Sequence, residues 1–563
     1  MKRIKVFIIR WPFIISFLVL WLSCGYIFHL SIRQTNGQFV YTLDDAYIHM
    51  AMAKNIAQHG VYGVTPYEFS SSSSSIVWTL LLAGGYWLFG IQELLPLILN
   101  ILLASFVLVT AYYMLYREIT NNIILLLVLL ALIFLTPLPA MIFCGMEHVL
   151  HILLVLWFVW LALQVIKIQG QIETKSWQIV VLLYAVTVFL VLTRFESYGM
   201  VSAATVLLLF RKQWRIAVCL IIAAVLPLFI YQYISLTHGW SWLPNSILIR
   251  SNAPEVFNSQ QAVEISSGSF FQRTGFFANY FQNIVIGSHL YILALIGSIV
   301  GIVMVARMRT IWNISTLFLI LFIASAFAHL QFGKIGHFFR YEAYLITWGI
   351  LALAVACAEL LRSFNETNAT MRKRWVFLTI VIGMVIVFLM PLFPRGVSAW
   401  NKLPMASRNI YEQQYNMGMF LQHYYPNAVV AANDIGAITF LTDIKVLDLV
   451  GLASVEVLNL KMQHQYSQEH IGILSHNAGT QIAIVYDSWL RMSGLNADSL
   501  GWKKIGEWII QNNVVCGSNA VSFYAAQPNE ESLLKKHLQE YSIMLPKTVL
   551  QLGNYLQPQN GPN

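Results

Sequence analysis

The sequence predicts an α-helical polytopic membrane protein that carries a mixed α/β domain at its C-terminal end. Hydrophobic residues make up 58% of the 563 residues and charged residues only 10%, and the mean hydropathy is +0.65. Long apolar segments recur as far as residue 394, after which the composition becomes polar and mixed. We therefore expect a transmembrane domain at residues 1–394 and a soluble, extracytoplasmic α/β domain at residues 395–563.

Eleven apolar segments are expected to cross the membrane, in addition to juxtamembrane helices. They are residues 6–28, 96–116, 122–138, 147–166, 178–193, 197–210, 216–236, 284–306, 311–330, 341–361 and 376–394. Basic residues gather at alternate ends of these segments, and the positive-inside rule then places the N-terminus in the cytoplasm. A further apolar segment, 76–89, would invert every later loop if it crossed, so we expect it to be interfacial or re-entrant.

The formal net charge of +9 does not indicate a nucleic-acid partner, because the basic residues lie at helix ends and form no patch with interleaved aromatic residues. The five cysteines are scattered and indicate no disulfide framework.

Local patterns predict several further elements. Residues 46–58 are expected to form an amphipathic helix that ends at Gly60, and the six serines at 70–75 have the composition of a flexible linker. In the C-terminal part, we expect strands at 428–432, 446–449 and 481–485 and a helix at 531–541.

Asp44 and Asp45 form the polar pair on which the functional interpretation depends. An ionised carboxylate in hydrocarbon costs roughly 2.5–3.5 kcal/mol, so the pair is expected at a wet membrane face or in a hydrated cavity. A solvated loop or a helix N-cap explains it equally well. The predicted topology brings further polar residues to the same, non-cytoplasmic side: Glu147, Arg194, Glu196, Asn245, His337 and Arg340. A functional site is therefore expected at the outer membrane face.

This set of residues suits transfer of a sugar from a lipid-phosphate donor. The leaving phosphate needs a cation more than it needs a strong acid, and Arg340, Arg194 and His337 are the candidate phosphate ligands. The acceptor hydroxyl needs a base, which Asp44 or Asp45 would provide.

Several candidates also have a structural explanation. Arg194 and Glu196 would fit an ion pair between two helix ends, Arg340 a side chain that reaches the lipid headgroups, and Pro244-Asn245 a turn.

Glu147, His148 and His151 lie on one helical face, a spacing that a metal site also uses. The spacing is unspecific, so the sequence predicts no cofactor and no metal ligand, although it is compatible with a divalent metal.

The first loop carries Asp44-Asp45-Ala46-Tyr47-Ile48, Ala53-Lys54-Asn55 and, after the serines, Val77-Trp78-Thr79. With these motifs the chain resembles the GT-C glycosyltransferases, and among them the terminal arabinofuranosyltransferases of bacterial envelopes. Further motifs have counterparts there in the same order: Gly145-Met146-Glu147, Arg194-Phe195-Glu196, Leu243-Pro244-Asn245-Ser246, Phe339-Arg340-Tyr341, Gly436-Ala437 and Asp448-Leu449-Val450-Gly451-Leu452. The chain departs from the family at Phe69 and the serines, where Gly-Tyr-Thr is usual, and at Lys54, where arginine is frequent.

The resemblance implies an inverting transfer of a monosaccharide from a polyprenyl-phosphate donor, with an acidic residue of the first loop as base. The family's placement of its first acidic residue favours Asp44. Glu147, Glu196, Asn245 and Lys54 are expected to bind substrate. The implied partners are the lipid-linked donor, the bilayer of the cytoplasmic membrane, and a glycan, lipid or protein acceptor.

Two other functions fit the sequence less well. A transporter or flippase of lipid-linked sugars would place charged residues near mid-span and often has repeated halves, whereas here the polar residues gather at one face. An envelope glycan ligase, which transfers a whole chain, is poorly separated from a monosaccharide transferase by sequence.

Overall fold

The structure is a computed structural model that describes residues 10–168, 174–250, 288–366 and 371–556. Its first part is helical. The helices are α1 (Trp11–Gln34), α2 (Asp44–His59), α3 (Ile76–Phe89), α4 (Leu95–Leu115), α5 (Asn122–Leu135), α6 (Leu138–Phe143), α7 (His148–Ile166), α8 (Thr174–Thr193), α9 (Tyr198–Phe210), α10 (Trp214–Thr237), α11 (Asn245–Arg250), α12 (Ser288–Met308), α13 (Ile314–Phe332), α14 (Ala343–Glu366) and α15 (Met371–Ile410).

All eleven expected spans fall on helices in the part of the chain that the structure describes; residues 6–9 and 284–287 of those spans lie outside it. Within the described residues, nine helical segments are long and apolar enough to cross a membrane. The expected spans 178–193 and 197–210 fall on α8 and α9, whose apolar helical segments, Trp177–Thr193 and Phe195–Phe210, are shorter. The chain is therefore built as a multi-pass membrane protein.

The last expected span is longer than predicted. Helix α15 has 40 residues and continues past residue 394, through Pro391, Pro394 and Pro404, to Ile410. A turn of π-helix follows at Tyr411–Tyr415 and then α16 (Asn416–Tyr424). The predicted domain boundary after residue 394 thus lies inside one continuous helix.

The first loop contains the expected juxtamembrane helices. Helix α2 begins with Asp44 and Asp45 in its first turn, where negative charge suits a helix N-terminus. It ends at Gly60, whose φ of +68° is the left-handed conformation that glycine adopts most easily. Helix α3 covers residues 76–89 as predicted.

The expectation of a flexible serine linker was wrong. Ser70, Ser71, Ser72, Ser73 and Ser75 are all buried. The hydroxyl of Ser71 pairs with Tyr231 at 2.6 Å, and that of Ser72 donates to the carbonyl of Leu452 at 2.9 Å. Small side chains with hydrogen-bonding hydroxyls allow the backbone to be buried here, which composition alone does not reveal.

The C-terminal part is a six-stranded sheet with flanking helices. In chain order its elements are β1 (Val429–Ala432), α17 (Gly436–Leu441), β2 (Lys445–Asp448), α18 (Val455–Met462), α19 (Gln468–Ala478), β3 (Ile482–Val485), α20 (Asp487–Met492), β4 (Lys503–Ile509), β5 (Ala520–Ala525), α21 (Glu530–Tyr541) and β6 (Leu550–Gly553). The strand order is β2-β1-β3-β5-β4-β6. Strands β1, β2 and β3 run parallel, and the other pairings are antiparallel. The predicted α/β class is confirmed.

The first loop packs directly on this sheet domain. Ile48 and Met52 of α2, together with Val64, belong to the same buried apolar cluster as Val430 of β1 and Ile438 of α17. Apolar burial of this kind is the main source of packing free energy. We call the end of the helix bundle at which this contact occurs the domain end.

Candidate functional site

Helix α2 presents its two carboxylates to different neighbours. The Oδ2 and Oδ1 atoms of Asp44 accept the backbone N–H groups of Gly436 (2.7 Å) and Ala437 (2.8 Å), at the start of α17. Asp45 faces the helix bundle, where its Oδ2 lies 2.6 Å from Nη2 of Arg340. A first-loop carboxylate that is a candidate base thus meets a candidate phosphate ligand, and that carboxylate is Asp45.

Arg340 is 1% exposed and holds several groups together. Its Nη2 atom also donates to Nδ1 of His337 at 3.0 Å, so this ring nitrogen carries no proton. The guanidinium lies 5.1 Å from the ring centroid of Tyr341, within cation–π range. His337, a predicted phosphate ligand, thus belongs to the same cluster as Asp45.

Arg194 lies on the same aromatic ring, with its guanidinium 5.2 Å from the centroid of Tyr341. It forms ion pairs with two carboxylates, since Nη1 lies 2.9 Å from Glu147 and Nη2 lies 2.5 Å from Glu196. The sequence-level alternative of an Arg194–Glu196 ion pair is therefore present. Tyr341 brings both predicted cations, Arg194 and Arg340, to one place.

Glu147 is fully buried and joins this cluster to α2. Its Oε1 accepts from Ser74 at 3.3 Å, and its Oε2 lies 3.5 Å from Nε2 of His49. Its partners on the two sides are thus the guanidinium of Arg194 and the imidazole of His49.

The loop that carries His337 and Arg340 has an unusual backbone. Gly336, His337, Phe338 and Phe339 all have positive φ, at 86°, 45°, 60° and 65°. L-residues other than glycine pay roughly 1–2 kcal/mol for this left-handed conformation. Contacts from Arg395 of α15 and from Glu342 stabilise the turn in this conformation.

These two residues bind the turn at both ends. Arg395 Nη2 donates to the carbonyl of Phe339 at 2.6 Å and to Glu342 at 2.8 Å. The backbone N–H of Gly336 donates to the other oxygen of Glu342, also at 2.8 Å. The buried ion pair between Arg395 and Glu342 thus holds the turn that orients the side chain of Arg340.

Two predicted substrate-binding residues lie elsewhere. The side chain of Asn245 donates to the carbonyls of Gly451 (2.9 Å) and Leu452 (3.3 Å). The ammonium of Lys54 contacts the far end of α17, away from the cluster that contains Arg340. Both residues join the bundle to the sheet domain.

Sequence reasoning missed the part that the sheet domain plays. Asp434, which follows β1, accepts hydrogen bonds from Tyr486 (2.6 Å) and Gln414 (2.7 Å). Its charge also acts on Asp44. The sequence offers no signal that β1 ends opposite α2, because the two segments are nearly 400 residues apart.

Arg395 was missed as well, although a signal existed. It follows Pro394 at the end of the last apolar segment, where an arginine requires a partner or a route to water. A lone charge at the end of such a segment predicts a buried partner.

No metal-binding group of three or more His, Cys, Asp or Glu side chains occurs in the part of the chain that the structure describes. Glu147 faces Arg194, whereas His151 pairs through Nε2 with the hydroxyl of Ser197 at 2.9 Å.

Comparison with known proteins gives a match to a family model and matches to solved structures. Residues 408–524 match the model of a family described as a domain of unknown function, DUF8728. No curated protein matches the chain. Among solved structures, the chain is similar to the crystal structure of ArnT from Cupriavidus metallidurans bound to undecaprenyl phosphate, with 11% sequence identity and a TM-score of 0.48 over 91% of this chain and 98% of that one.

Proposed function

We propose that this chain is an integral-membrane glycosyltransferase that moves a monosaccharide from a polyprenyl-phosphate donor to a hydroxyl group of a glycan, lipid or protein acceptor. The observation that carries the proposal is the contact of 2.6 Å between Asp45 and Arg340. It joins a carboxylate that can take a proton to a cation that can hold a phosphate. Residues nearly 300 positions apart supply the two groups, at one end of a membrane helix bundle.

The reaction follows from this pairing. The acceptor hydroxyl gives its proton to the carboxylate of Asp45 while its oxygen attacks the anomeric carbon of the donor sugar. The bond from that carbon to the phosphate oxygen breaks on the opposite face, so the configuration inverts. The electron pair leaves with the polyprenyl phosphate, whose charge Arg340 and, beside it, Arg194 and His337 stabilise.

Asp45 suits the role of base better than Asp44. Both oxygens of Asp44 face backbone N–H groups of α17, so this carboxyl lies at the contact with the sheet domain and not beside a cation that could hold a phosphate. Asp45 instead lies beside a guanidinium, which stabilises its negative charge. The proposal therefore departs from the family's placement, which favours Asp44.

The proposal places the reaction outside the cytoplasmic membrane. The basic loops of the sequence predict a cytoplasmic N-terminus, and the sheet domain then lies outside with the Asp45 cluster beside it. The resemblance to GT-C glycosyltransferases implies a polyprenyl-phosphate sugar as the donor at that face.

The test replaces Asp45 and Asp44 separately with asparagine and measures transfer from a radiolabelled polyprenyl-phosphate sugar in membranes with equal protein levels. We expect Asp45→Asn to lower turnover by about 10²–10⁴-fold, the usual contribution of a general base. Asp44→Asn should lower turnover by a much smaller factor, because it changes the contact with α17 and leaves the proposed base in place.

Full activity of Asp45→Asn would remove the proposed mechanism. Mass spectrometry of the acceptor reads the transferred unit, and a whole glycan chain in place of one sugar would show that the chain is a ligase. Movement of labelled donor lipid across liposomes without any acceptor would indicate a flippase.

A further inference from the structure

Helix α2 forms hydrogen bonds with both ends of α17. At the start of α17, Asp44 accepts the N–H groups of Gly436 and Ala437. At its other end, the Nζ atom of Lys54 lies 3.0 Å from the carbonyl oxygen of Phe440 and 3.1 Å from that of Thr442. These are the backbone groups that a helix leaves unpaired at its two ends.

The position of Lys54 matches the charge of the helix end that it contacts. The C-terminal end of a helix carries partial negative charge, which a cation stabilises. The residue is 8% exposed, so a charge there requires close partners. Asp443 supplies one, with an Nζ–Oδ1 distance of 3.1 Å.

These contacts use the whole hydrogen-bonding capacity of the ammonium group. Lysine has three N–H donors and no acceptor. Four acceptor atoms lie within 3.4 Å of Nζ, namely the carbonyl oxygens of Thr439, Phe440 and Thr442 and the carboxylate of Asp443. Lys54 is therefore committed to the sheet domain and has no donor left for a substrate.

The same helix carries the proposed base on another side. Asp45 and His49 are four residues apart and lie on one face of α2, towards the bundle. Asp44, Ile48 and Met52 lie on the face that packs on the sheet domain. The orientation of α2 on α17 thus determines where the carboxylate of Asp45 points.

We propose that Lys54 and α17 form a clamp that holds α2 in the orientation at which Asp45 meets Arg340. Lys54 is then a positioning residue that acts through α2, and it is not a substrate ligand. The sheet domain, through α17, helps to orient the carboxylate of Asp45. This inference rests on the proposed glycosyltransferase function. A misplacement of about 1 Å in a reacting group can cost about 10²-fold in rate.

The test uses the full chain in nanodiscs with Lys54→Met, which keeps the length of the side chain and removes its charge. Lys503→Met is the matched control, because Lys503 pairs with Glu531 on the surface and is 61% exposed. We expect Lys54→Met to lower kcat by about 10–100-fold with the KM for the lipid donor within twofold of the parent value. Backbone hydrogen exchange of residues 44–59 should become faster, and the control should change neither property.

A milder variant covers the case in which Lys54→Met fails to fold. Asp443 is 53% exposed, and Asp443→Asn removes the charge of one of the four partners of Lys54. It should lower kcat by a smaller factor, again without a change in KM.

Two results would overturn the clamp. A raised donor KM with unchanged kcat would make Lys54 a substrate ligand, and unchanged kcat with unchanged exchange of residues 44–59 would show that it positions nothing. If the parent protein and the Lys503→Met control transfer no sugar, the proposed function fails separately. The exchange measurement then decides the clamp alone: faster exchange in Lys54→Met supports it, and unchanged exchange refutes it.

Discussion

Asp44 and Asp45 are adjacent residues of α2, yet they lie in two different regions of the molecule. The region of Asp44 is the joint with the sheet domain, where backbone N–H groups and Asp434 are its neighbours. The region of Asp45 is the domain end of the bundle, where the guanidinium of Arg340 is its neighbour. The comparison teaches that the element opposite a carboxylate, more than its place in a motif, decides whether it contacts the sheet domain or meets Arg340, the proposed phosphate ligand.

The largest difference between the two regions should be seen when Arg340 is replaced. Arg340→Met removes the main cation of the site and leaves Asp45 without its guanidinium, so we expect turnover to fall by about 10³-fold. Initial rates with a labelled lipid donor measure this. Arg362→Met is the control, because Arg362 pairs with Glu118 at an exposed position. Turnover close to the parent value in Arg340→Met would show that the region of Asp45 takes no part in the reaction.

Replacement of Arg194 tests the stability of the bundle side. Arg194→Met leaves Glu147 and Glu196 without the charge that pairs them, and breaking a buried pair in this way typically costs about 3–5 kcal/mol. Thermal unfolding in detergent should show a clear drop, whereas Arg362→Met should lower the free energy of unfolding by only about 0–1 kcal/mol. Equal midpoints for the two variants would mean that the Arg194 pairs contribute little.

A methyl group at Gly436 tests the packing of the joint. A Cβ atom there would lie 2.1 Å from the backbone oxygen of Asp44, so α2 and α17 must move apart. We expect Gly436→Ala to lower the free energy of unfolding by about 1–3 kcal/mol. Gly472→Ala in α19 is the matched control, since its Cβ atom would lie at an ordinary 3.7 Å from Leu500. If both alanines are tolerated equally, the joint is looser than the distances indicate.

The joint should also show a pH dependence. Burial and the charge of Asp434 raise the pKa of Asp44 from 3.8 to about 8, although the N–H groups of Gly436 and Ala437 oppose the rise. The folded chain thus binds a proton that the unfolded chain has already released between about pH 4 and pH 8. The stability that Asp44 contributes is complete below this range and is lost as the pH rises through about 8.

Asp44→Asn carries no titratable group at this position, so the comparison isolates the effect. The free energy of unfolding of the parent, minus that of Asp44→Asn, should decrease with pH by up to about 1.4 kcal/mol per pH unit in that window. Thermal unfolding at a series of pH values measures it. A difference that stays constant from pH 5 to pH 9 would contradict a raised pKa for Asp44.

The sequence predicted the elements of the fold better than their meeting points. Hydrophobic length located the helices, and the strands at 429–432, 445–448 and 482–485 lie within a residue of their predicted bounds. Strands β4, β5 and β6 were not predicted. Strand β4 contains Gly506, where the register with β5 shifts, and such an irregular strand has a weak period-two pattern.

The site was predicted in part for a similar reason. Charges in an apolar sequence are costly, so Asp45, Arg194 and Arg340 could be recognised as residues that need partners. Which partner each one finds depends on tertiary packing. Lys54 looked like a substrate ligand by its motif, but its ammonium contacts carbonyl groups of a helix nearly 400 residues away, which no local pattern encodes.

Because Arg340 follows the left-handed turn at Gly336–Phe339, the orientation of its side chain depends on the residues that hold this turn. His337, Phe338 and Phe339 adopt the left-handed backbone conformation, which is unfavourable for residues other than glycine. Contacts from Arg395 and Glu342 stabilise it. Loss of either contact would let the chain relax to the ordinary handedness and turn the guanidinium away from Asp45. Under the proposed mechanism, replacement of Arg395 or Glu342 would therefore lower turnover although neither residue is a proposed substrate ligand, because the turn would lose its left-handed backbone conformation.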